Sequence, residues 1–150
     1  MGERARILIV DDDEAIRNSM KMILEDEGYF VDTAVTGAEA LRKTRKTTYN
    51  VALLDIRLPD MEGVELLKLI GDGVPRTRKI MVTGYPSMQD AVAALNKNAD
   101  AYLIKPVEVD NLLLTVKKQL QEQKDEEEFG EQKVAEFIES RVKEISTSHG

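Results

Sequence analysis

The chain has 150 residues, 42% of them hydrophobic and 33% charged, which suggests one folded domain with a short appendage and excludes global disorder. It contains no cysteine, which excludes disulfides, thiolate metal sites and cysteine nucleophiles, and its formal net charge of −7 argues against nonspecific binding of nucleic acid. No apolar run approaches the ~18 residues that span a bilayer, so we expect a cytoplasmic protein without membrane contact.

Residues 1–118 alternate short apolar runs with longer segments whose apolar residues recur at helical spacing. The apolar runs predict five strands, at residues 6–11, 30–34, 51–55, 79–83 and 101–104. The first, third and fourth runs are continuously apolar over at least three residues, which is typical of strands buried on both faces of a parallel sheet.

The segments between the strands predict five helices. Asp13 is suited to cap the first helix, and Gly28 to end it in the left-handed conformation. Thr36 and Glu39 match a capping box that opens the second helix. The other three helices follow from apolar residues spaced along 64–70, 88–95 and 109–120.

Five successive strand–helix units predict an α/β fold, with right-handed crossovers and a doubly wound, five-stranded parallel sheet covered by helices on both faces. Ligands of such folds bind outside the carboxyl ends of the strands, at the point where the strand order reverses. Candidate functional residues are therefore sought at the strand ends.

Charged and hydroxyl side chains follow four of the apolar runs. Asp11 and Asp12 follow the first, Asp55 and Thr83 end the third and fourth, and Lys105 follows the fifth. Three carboxylates at one sheet edge would repel one another unless a cation neutralised them, and oxygen ligands with room for water suit Mg²⁺. A lysine and a threonine facing the metal could contact a bound phosphoryl group. The pattern predicts a Mg²⁺-assisted phosphoryl-transfer site.

Taken together, these motifs resemble the receiver domains of two-component response regulators over about residues 5–120. They are the acidic pair after Ile-Leu-Ile-Val, the segment Leu-Asp-Ile-Arg-Leu-Pro-Asp-Met-Glu-Gly at 54–63, Val-Thr-Gly at 82–84 and Tyr-Leu-Ile-Lys-Pro at 102–106. The resemblance implies a flavodoxin-like, CheY-like sheet of strand order 2-1-3-4-5. Residues 1–121 would form the receiver domain and residues 122–150 an acidic helical tail or linker.

The resemblance also implies roles for the acidic residues. Asp55 would accept a phosphoryl group from the phosphohistidine of a sensor histidine kinase. Asp12 would bind Mg²⁺ directly and Asp11 through water, with Asp55 and the backbone carbonyl of Arg57 completing the protein ligands. Such a chain would catalyse only its own phosphorylation and dephosphorylation and would be no enzyme in the usual sense.

The remaining roles concern the switch. Lys105 would pair with a phosphoryl oxygen, or with Asp55 before phosphorylation, and Pro106 would follow a cis peptide bond. Thr83 would bond the phosphoryl group and let Tyr102 turn inward, which would reshape the face built from the fourth helix, fifth strand and fifth helix. That face would signal to a downstream output domain or effector protein, or form a homodimer.

Two positions bear on the lifetime of the phosphorylated state. Arg57 and Tyr85 lie two residues beyond Asp55 and Thr83, at positions that in the family influence how water reaches the phosphoaspartate. Both side chains are large, which predicts slow autodephosphorylation.

Two other functions remain open. The triplet Asp11-Asp12-Asp13 could imitate the Asp-x-Asp of a small haloacid-dehalogenase-like phosphohydrolase, with Asp11 as nucleophile, although no late acidic pair follows Thr83 and the chain leaves no room for a cap. A binding adaptor with a vestigial site would not be phosphorylated at all.

The C-terminal segment is more acidic than the rest of the chain. Residues 119–150 hold nine acidic and four basic residues, and apolar spacing stops between Leu120 and Val134. This pattern fits an extended fifth helix with a solvated linker, or a short helix that packs on the domain or on a second copy. No helix-turn-helix, basic region or zinc motif is present, so direct DNA binding by this chain is not expected.

Overall fold

The computed structural model describes residues 4–71, 73, 75–84 and 99–148. The predicted fourth helix and Tyr85 lie outside this part of the chain. Its strands are β1 (Arg6–Val10), β2 (Phe30–Ala34), β3 (Val51–Asp55), β4 (Arg78–Thr83) and β5 (Ala101–Ile104). Its helices are α1 (Glu14–Asp26), α2 (Gly37–Lys46), α3 (Gly63–Leu69) and a C-terminal helix (Val109–Ser148). All five predicted strands are confirmed; β1 ends at Val10 rather than Asp11, and β4 begins one residue early, at Arg78.

The strands form one parallel sheet in the order β2-β1-β3-β4-β5, which confirms the predicted topology. Every residue of β3 and β4 is buried, whereas the two outer strands carry exposed residues such as Phe30 and Ile104. The strand order reverses between β1 and β3, where Leu8 pairs with Ala52. The carboxyl ends of these two neighbouring strands meet at the switch point.

Alternate residues of the strands face two separate cores. One core packs the α2 and α3 face and includes Leu8, Leu54 and Met81 together with Leu66 and Leu67 of α3. The other includes Ile7, Ile9, Leu53, Ile80, Met20 and Leu24 of α1, and Leu112 and Val116 of the C-terminal helix. Because side chains alternate along a strand, one buried sheet supplies both cores and holds its strand ends rigidly.

The helix ends largely match the predicted capping residues. Asp13 accepts a hydrogen bond from the Ile16 amide at 3.0 Å, and Gly28 has φ of +97° after α1. Thr36 accepts from the Glu39 amide at 3.1 Å, as a capping box requires. The Glu39 carboxylate, however, accepts from the amide of Val35 at 2.9 Å, so the reciprocal bond is displaced by one residue.

The C-terminal helix continues unbroken from Val109 to Ser148, so the helix does not break at residue 121. Arg78 binds the helix on both sides of residue 121: its guanidinium donates to Gln119 at 3.0 Å, to Glu122 at 2.8 Å and to Glu126 at 2.9 Å. Beyond these contacts the helix exposes a stripe of large apolar side chains, among them Val134, Phe137, Ile138 and Val142. The apolar spacing in the sequence ends at Leu120 because the next residue that faces the sheet, Gln123, makes polar contacts.

No helix in the described ranges combines the length and apolar character that crossing a membrane requires.

Candidate functional site

Three carboxylates converge where β1 and β3 end. Asp11 follows β1 directly, Asp12 is the next residue, and Asp55 is the last residue of β3. One carboxylate oxygen of each lies within 4.8 Å of the others. Asp11 is 1% exposed and Asp55 9%, whereas Asp12 is open to solvent. This arrangement combines two nearly buried oxygen ligands with one that faces water, which is the setting of a partly hydrated Mg²⁺ ion.

The two oxygens of the Asp11 carboxylate have different partners. Its Oδ1 accepts from the amide of Asp13 at 2.9 Å, which fixes the carboxylate plane. Its Oδ2 is buried and accepts no hydrogen bond from the described residues, although Lys105 Nζ lies 3.0 Å away as an ion-pair partner. A buried carboxylate is costly unless a cation lies beside it, and one ammonium cannot balance the three carboxylates of this cluster. The oxygen donors present therefore fit a divalent metal.

Lys105 supplies the positive charge of the site. Its Nζ lies 3.0 Å from Asp11 Oδ2 and 3.4 Å from Asp55 Oδ2, so the predicted contact with Asp55 is accompanied by a shorter one with Asp11. Burial lowers the pKa of Lys105, but its contacts with the two carboxylates outweigh burial and raise that pKa above its usual value. One ammonium against three carboxylates leaves two negative charges, which a divalent cation would balance.

Asp55 lies in an environment that disfavours its charge. Burial is the main cause that raises the pKa of Asp55, and the neighbouring Asp11 raises it further. Lys105 lowers the pKa of Asp55, as does the backbone amide of Arg57, which lies 3.4 Å from Asp55 Oδ1. A metal ion at the cluster would add positive charge and favour the ionised carboxylate.

Thr83 ends β4, the strand next to β3, and is fully buried. Its carbonyl accepts from the amide of Lys105 at 2.7 Å, so the ends of β4 and β5 are joined beside Asp55. The peptide bond between Lys105 and Pro106 is cis, as the sequence predicts.

The structure places the remaining predicted residues as follows. Tyr102 pairs with Met81 in the sheet and is half-buried, and this burial raises its pKa. The side chain of Arg57 is exposed, while its backbone forms a bridge with Glu62. Tyr85 lies outside the described residues.

Two contacts near the site had no clear signal in the sequence. Arg17 of α1 donates to the carbonyl of Asp11 at 2.9 Å. Asp60, in the loop after β3, accepts hydrogen bonds from the first residues of α2, Gly37 and Ala38. Asp60 and Gly37 are 23 positions apart, and nothing in the sequence around either residue indicates that they are in contact.

Comparison with known proteins identifies relatives of this chain. The family model described as the response regulator receiver domain matches residues 7–117. Among solved structures, a CheY-like response regulator receiver domain protein from Methanospirillum hungatei JF-1 is 51% identical, with a TM-score of 0.75 over 83% of this chain and 99% of that one. NtrX from Brucella abortus is 31% identical, with a TM-score of 0.78 over 85% of this chain and 29% of that one.

The curated relatives are longer than the chain. The transcriptional regulatory protein ZraR of Klebsiella oxytoca is 40% identical over 119 residues, which cover 79% of this chain and 27% of that protein. TrcR of Mycobacterium tuberculosis is 38% identical over 112 residues, 75% of this chain and 44% of that protein. The chain thus spans between about a quarter and a half of these transcriptional regulators.

Proposed function

The chain belongs to the family of response regulator receiver domains of two-component systems, and from this premise we propose that it accepts a phosphoryl group on Asp55 from a sensor histidine kinase in a Mg²⁺-dependent reaction. The observation that carries the proposal is the cluster of Asp11, Asp12 and Asp55, with the Lys105 ammonium 3.0 Å from Asp11 and 3.4 Å from Asp55. Receiver domains are signalling domains, so phosphorylation would be the signal rather than a step in turnover.

In the proposed reaction a carboxylate oxygen of Asp55 attacks phosphorus. The new bond joins that oxygen to phosphorus, the bond between phosphorus and the histidine nitrogen breaks, and its electron pair returns to the imidazole. Asp11, Asp12, Asp55 and the Arg57 carbonyl would hold Mg²⁺, which when bound neutralises charge on the transferring group. A carboxylate is a weak nucleophile, so positioning and charge neutralisation must supply most of the acceleration.

Lys105 and Thr83 would bind the transferred group. Lys105 Nζ is already 3.4 Å from Asp55 Oδ2, and a small displacement would bring it to a phosphoryl oxygen. Thr83 lies at the end of the adjacent strand, and its hydroxyl would donate a hydrogen bond to the phosphoryl group. This bond would let Tyr102 of β5 turn inward. Phosphorylation of Asp55 would thereby change the shape of the surface formed by β5, the C-terminal helix and the predicted fourth helix.

The partners follow from this chemistry. A sensor histidine kinase supplies the phosphoryl group, and the altered surface is read by an output domain or effector protein, or by a second copy of the chain. Transcriptional regulators such as ZraR and AlgB of Pseudomonas putida are matched over about a quarter of their length, which supports an output function in the remainder of such proteins. We propose that the chain itself does not bind nucleic acid directly.

The phosphorylated state would be long-lived. The exposed side chain of Arg57 stands two residues from Asp55, and Tyr85 occupies the corresponding position after Thr83. Large side chains there would limit the approach of water to the phosphoaspartate. Arg57→Ala and Tyr85→Ala should each shorten its lifetime, and unchanged lifetimes in both variants would contradict the proposal.

The test is to incubate the chain with radiolabelled acetyl phosphate and Mg²⁺ and to map the label by mass spectrometry. Label on Asp55 that is abolished by EDTA and by Asp55→Asn supports the receiver. Continuous release of phosphate that depends on Asp11 and persists in Asp55→Asn would indicate the phosphohydrolase. Absence of label at saturating Mg²⁺ would overturn the proposal and favour a vestigial site.

A further inference from the structure

The loop that follows Asp55, residues 56–62, is fastened to the start of α2. The two oxygens of Asp60 accept separate hydrogen bonds, Oδ1 from the Gly37 amide at 2.8 Å and Oδ2 from the Ala38 amide at 2.9 Å. We propose that Asp60 is a positioning residue that, through this contact, sets the orientation of the Asp55 carboxylate and hence the affinity of the acidic cluster for Mg²⁺. This inference rests on the proposed function for its link to phosphorylation.

Backbone hydrogen bonds within the loop hold its two sides together, so that we expect it to move as a unit. Its root is tied by the Gly63 amide, which donates to the Ile56 carbonyl at 2.6 Å. Near its tip the Leu58 amide donates to the Met61 carbonyl at 3.1 Å, and Arg57 and Glu62 form a bridge between these bonds. A displacement at the tip is thus transmitted to Arg57.

Arg57 connects the loop to the site. Its backbone amide lies 3.4 Å from Asp55 Oδ1 and donates to that oxygen, while Lys105 lies 3.4 Å from Oδ2. The orientation of the carboxylate therefore depends on a donor carried by the loop. A shift of this donor would rotate one of the three carboxylates of the cluster, and outer contacts of this kind commonly tune metal affinity.

α2 is shaped to receive the loop tip. Met61 lies against Gly37, where a Cβ atom would stand 2.4 Å from its Sδ and 2.6 Å from its Cγ. A larger residue at position 37 would require the Met61 side chain to shift. Gly37 therefore contacts the loop tip twice, through the space left for Met61 and through its amide, which donates to Asp60.

Thr36 and Asp60 accept from different amides at the start of α2. Thr36 already caps α2 by accepting from the Glu39 amide at 3.1 Å, and it lies outside the loop that carries Arg57. Thr36 and Asp60 both satisfy donors of the first turn of the same helix, but only Asp60 links that helix to the loop after Asp55. Substituting each residue separately therefore distinguishes helix capping from loop positioning.

The experiment compares Asp60→Ala, Asp60→Asn and Thr36→Ala in the full chain. Mg²⁺ dissociation constants are measured by isothermal titration calorimetry, and labelling by acetyl phosphate is followed as a function of Mg²⁺ concentration. Asp60→Ala should weaken Mg²⁺ binding by about tenfold. It should also raise the Mg²⁺ concentration for half-maximal labelling, with a smaller change in the rate at saturating Mg²⁺. Asp60→Asn should recover part of the affinity, because its amide oxygen can accept one of the two bonds.

Thr36→Ala should leave Mg²⁺ affinity unchanged even where it lowers the melting temperature. The inference is overturned if Asp60→Ala binds Mg²⁺ like the wild type, or if Thr36→Ala weakens binding equally, since helix stability would then explain both. If Asp60→Ala fails to fold, the comparison of Asp60→Asn with Thr36→Ala decides in the same way. A wild-type chain that binds Mg²⁺ through the Asp60-dependent site but takes no label on Asp55 would refute the proposed function and leave the positioning role standing.

Discussion

Arg78, the first residue of β4, donates to Glu122 of the C-terminal helix at 2.8 Å. This contact joins the amino edge of the sheet to a residue beyond the predicted end of the domain. The Gln123 side chain, next in sequence, donates to the carbonyls of Asn50 and Arg76 at 3.0 and 2.7 Å. The helix is therefore part of the folded unit at least to Glu126, and the residues beyond it extend from an anchored base.

Arg78→Met should destabilise the chain by about 2 kcal/mol. A fully buried ion pair costs more to break, but the side chains of Glu122 and Glu126 are 42% and 52% exposed, so water compensates in part. Urea unfolding measures the loss, and hydrogen exchange should show faster opening of the helix after residue 119. Lys124→Met, which alters an exposed basic residue on the same helix, is the control and should have little effect.

The same network predicts the effect of truncation. A chain that ends at residue 121 loses Glu122, Gln123 and Glu126, whereas one that ends at residue 131 keeps them. We expect the shorter chain to unfold at lower urea concentration than the longer one. Equal midpoints would show that the folded unit ends near residue 121, as the sequence predicted.

Much of the fold and site could be predicted because it depends on local patterns. Continuous apolar runs identified β1, β3 and β4, and parallel strands necessarily bring their carboxyl ends to one edge, which placed Asp11, Asp55 and Lys105 together. No knowledge of side-chain contacts was needed for this step.

The rest depends on contacts between distant residues. Asp60 meets Gly37 across 23 positions, and nothing in the local sequence specifies how the loop folds back. β4 includes Arg78, one residue more than the sequence predicts, and this arginine is 8% exposed and paired with Glu122 of the C-terminal helix. The periodicity of the tail was lost because Gln119 and Gln123, rather than apolar residues, face the sheet.

Asp55→Asn should stabilise the chain at neutral pH in the presence of EDTA. Burial and the charge of Asp11 raise the pKa of Asp55, so the ionised carboxylate costs stability once the pH exceeds the folded-state pKa. The expected gain is about 1 kcal/mol, the order of magnitude of a single stabilising substitution. In urea unfolding, the gain in stability should disappear as the pH falls through that pKa, because wild-type Asp55 is then protonated. The gain should also be smaller when Mg²⁺ replaces EDTA. A gain that grows on acidification would contradict the argument.

The Lys105→Gln variant should bind Mg²⁺ more tightly than the wild type but should be phosphorylated on Asp55 more slowly. The ammonium 3.0 Å from Asp11 Oδ2 competes with a metal ion for the same carboxylates, and removing it should favour the metal by about 1 kcal/mol, or about fivefold. Transfer to Asp55 should be slower, because the transferred group loses its cationic partner. Calorimetry and acetyl phosphate labelling measure the two effects, and weaker Mg²⁺ binding would show that Lys105 organises the carboxylates rather than competing for them.

Gly63→Ala should damage both stability and phosphorylation. A Cβ at Gly63 would lie 2.2 Å from the carbonyl oxygen of Asp55 and 2.9 Å from the Cα of Ile56, and backbone atoms cannot yield as a flexible side chain can. Relief of this clash must move the end of β3, so we expect a loss of about 2 kcal/mol in urea unfolding and slower labelling of Asp55. Gly84→Ala is the matched control for stability, since its Cβ would lie 3.8 Å from Lys105 Cβ, an ordinary contact. If the two variants unfold at the same urea concentration, the close approach of Gly63 to Asp55 does not constrain the site.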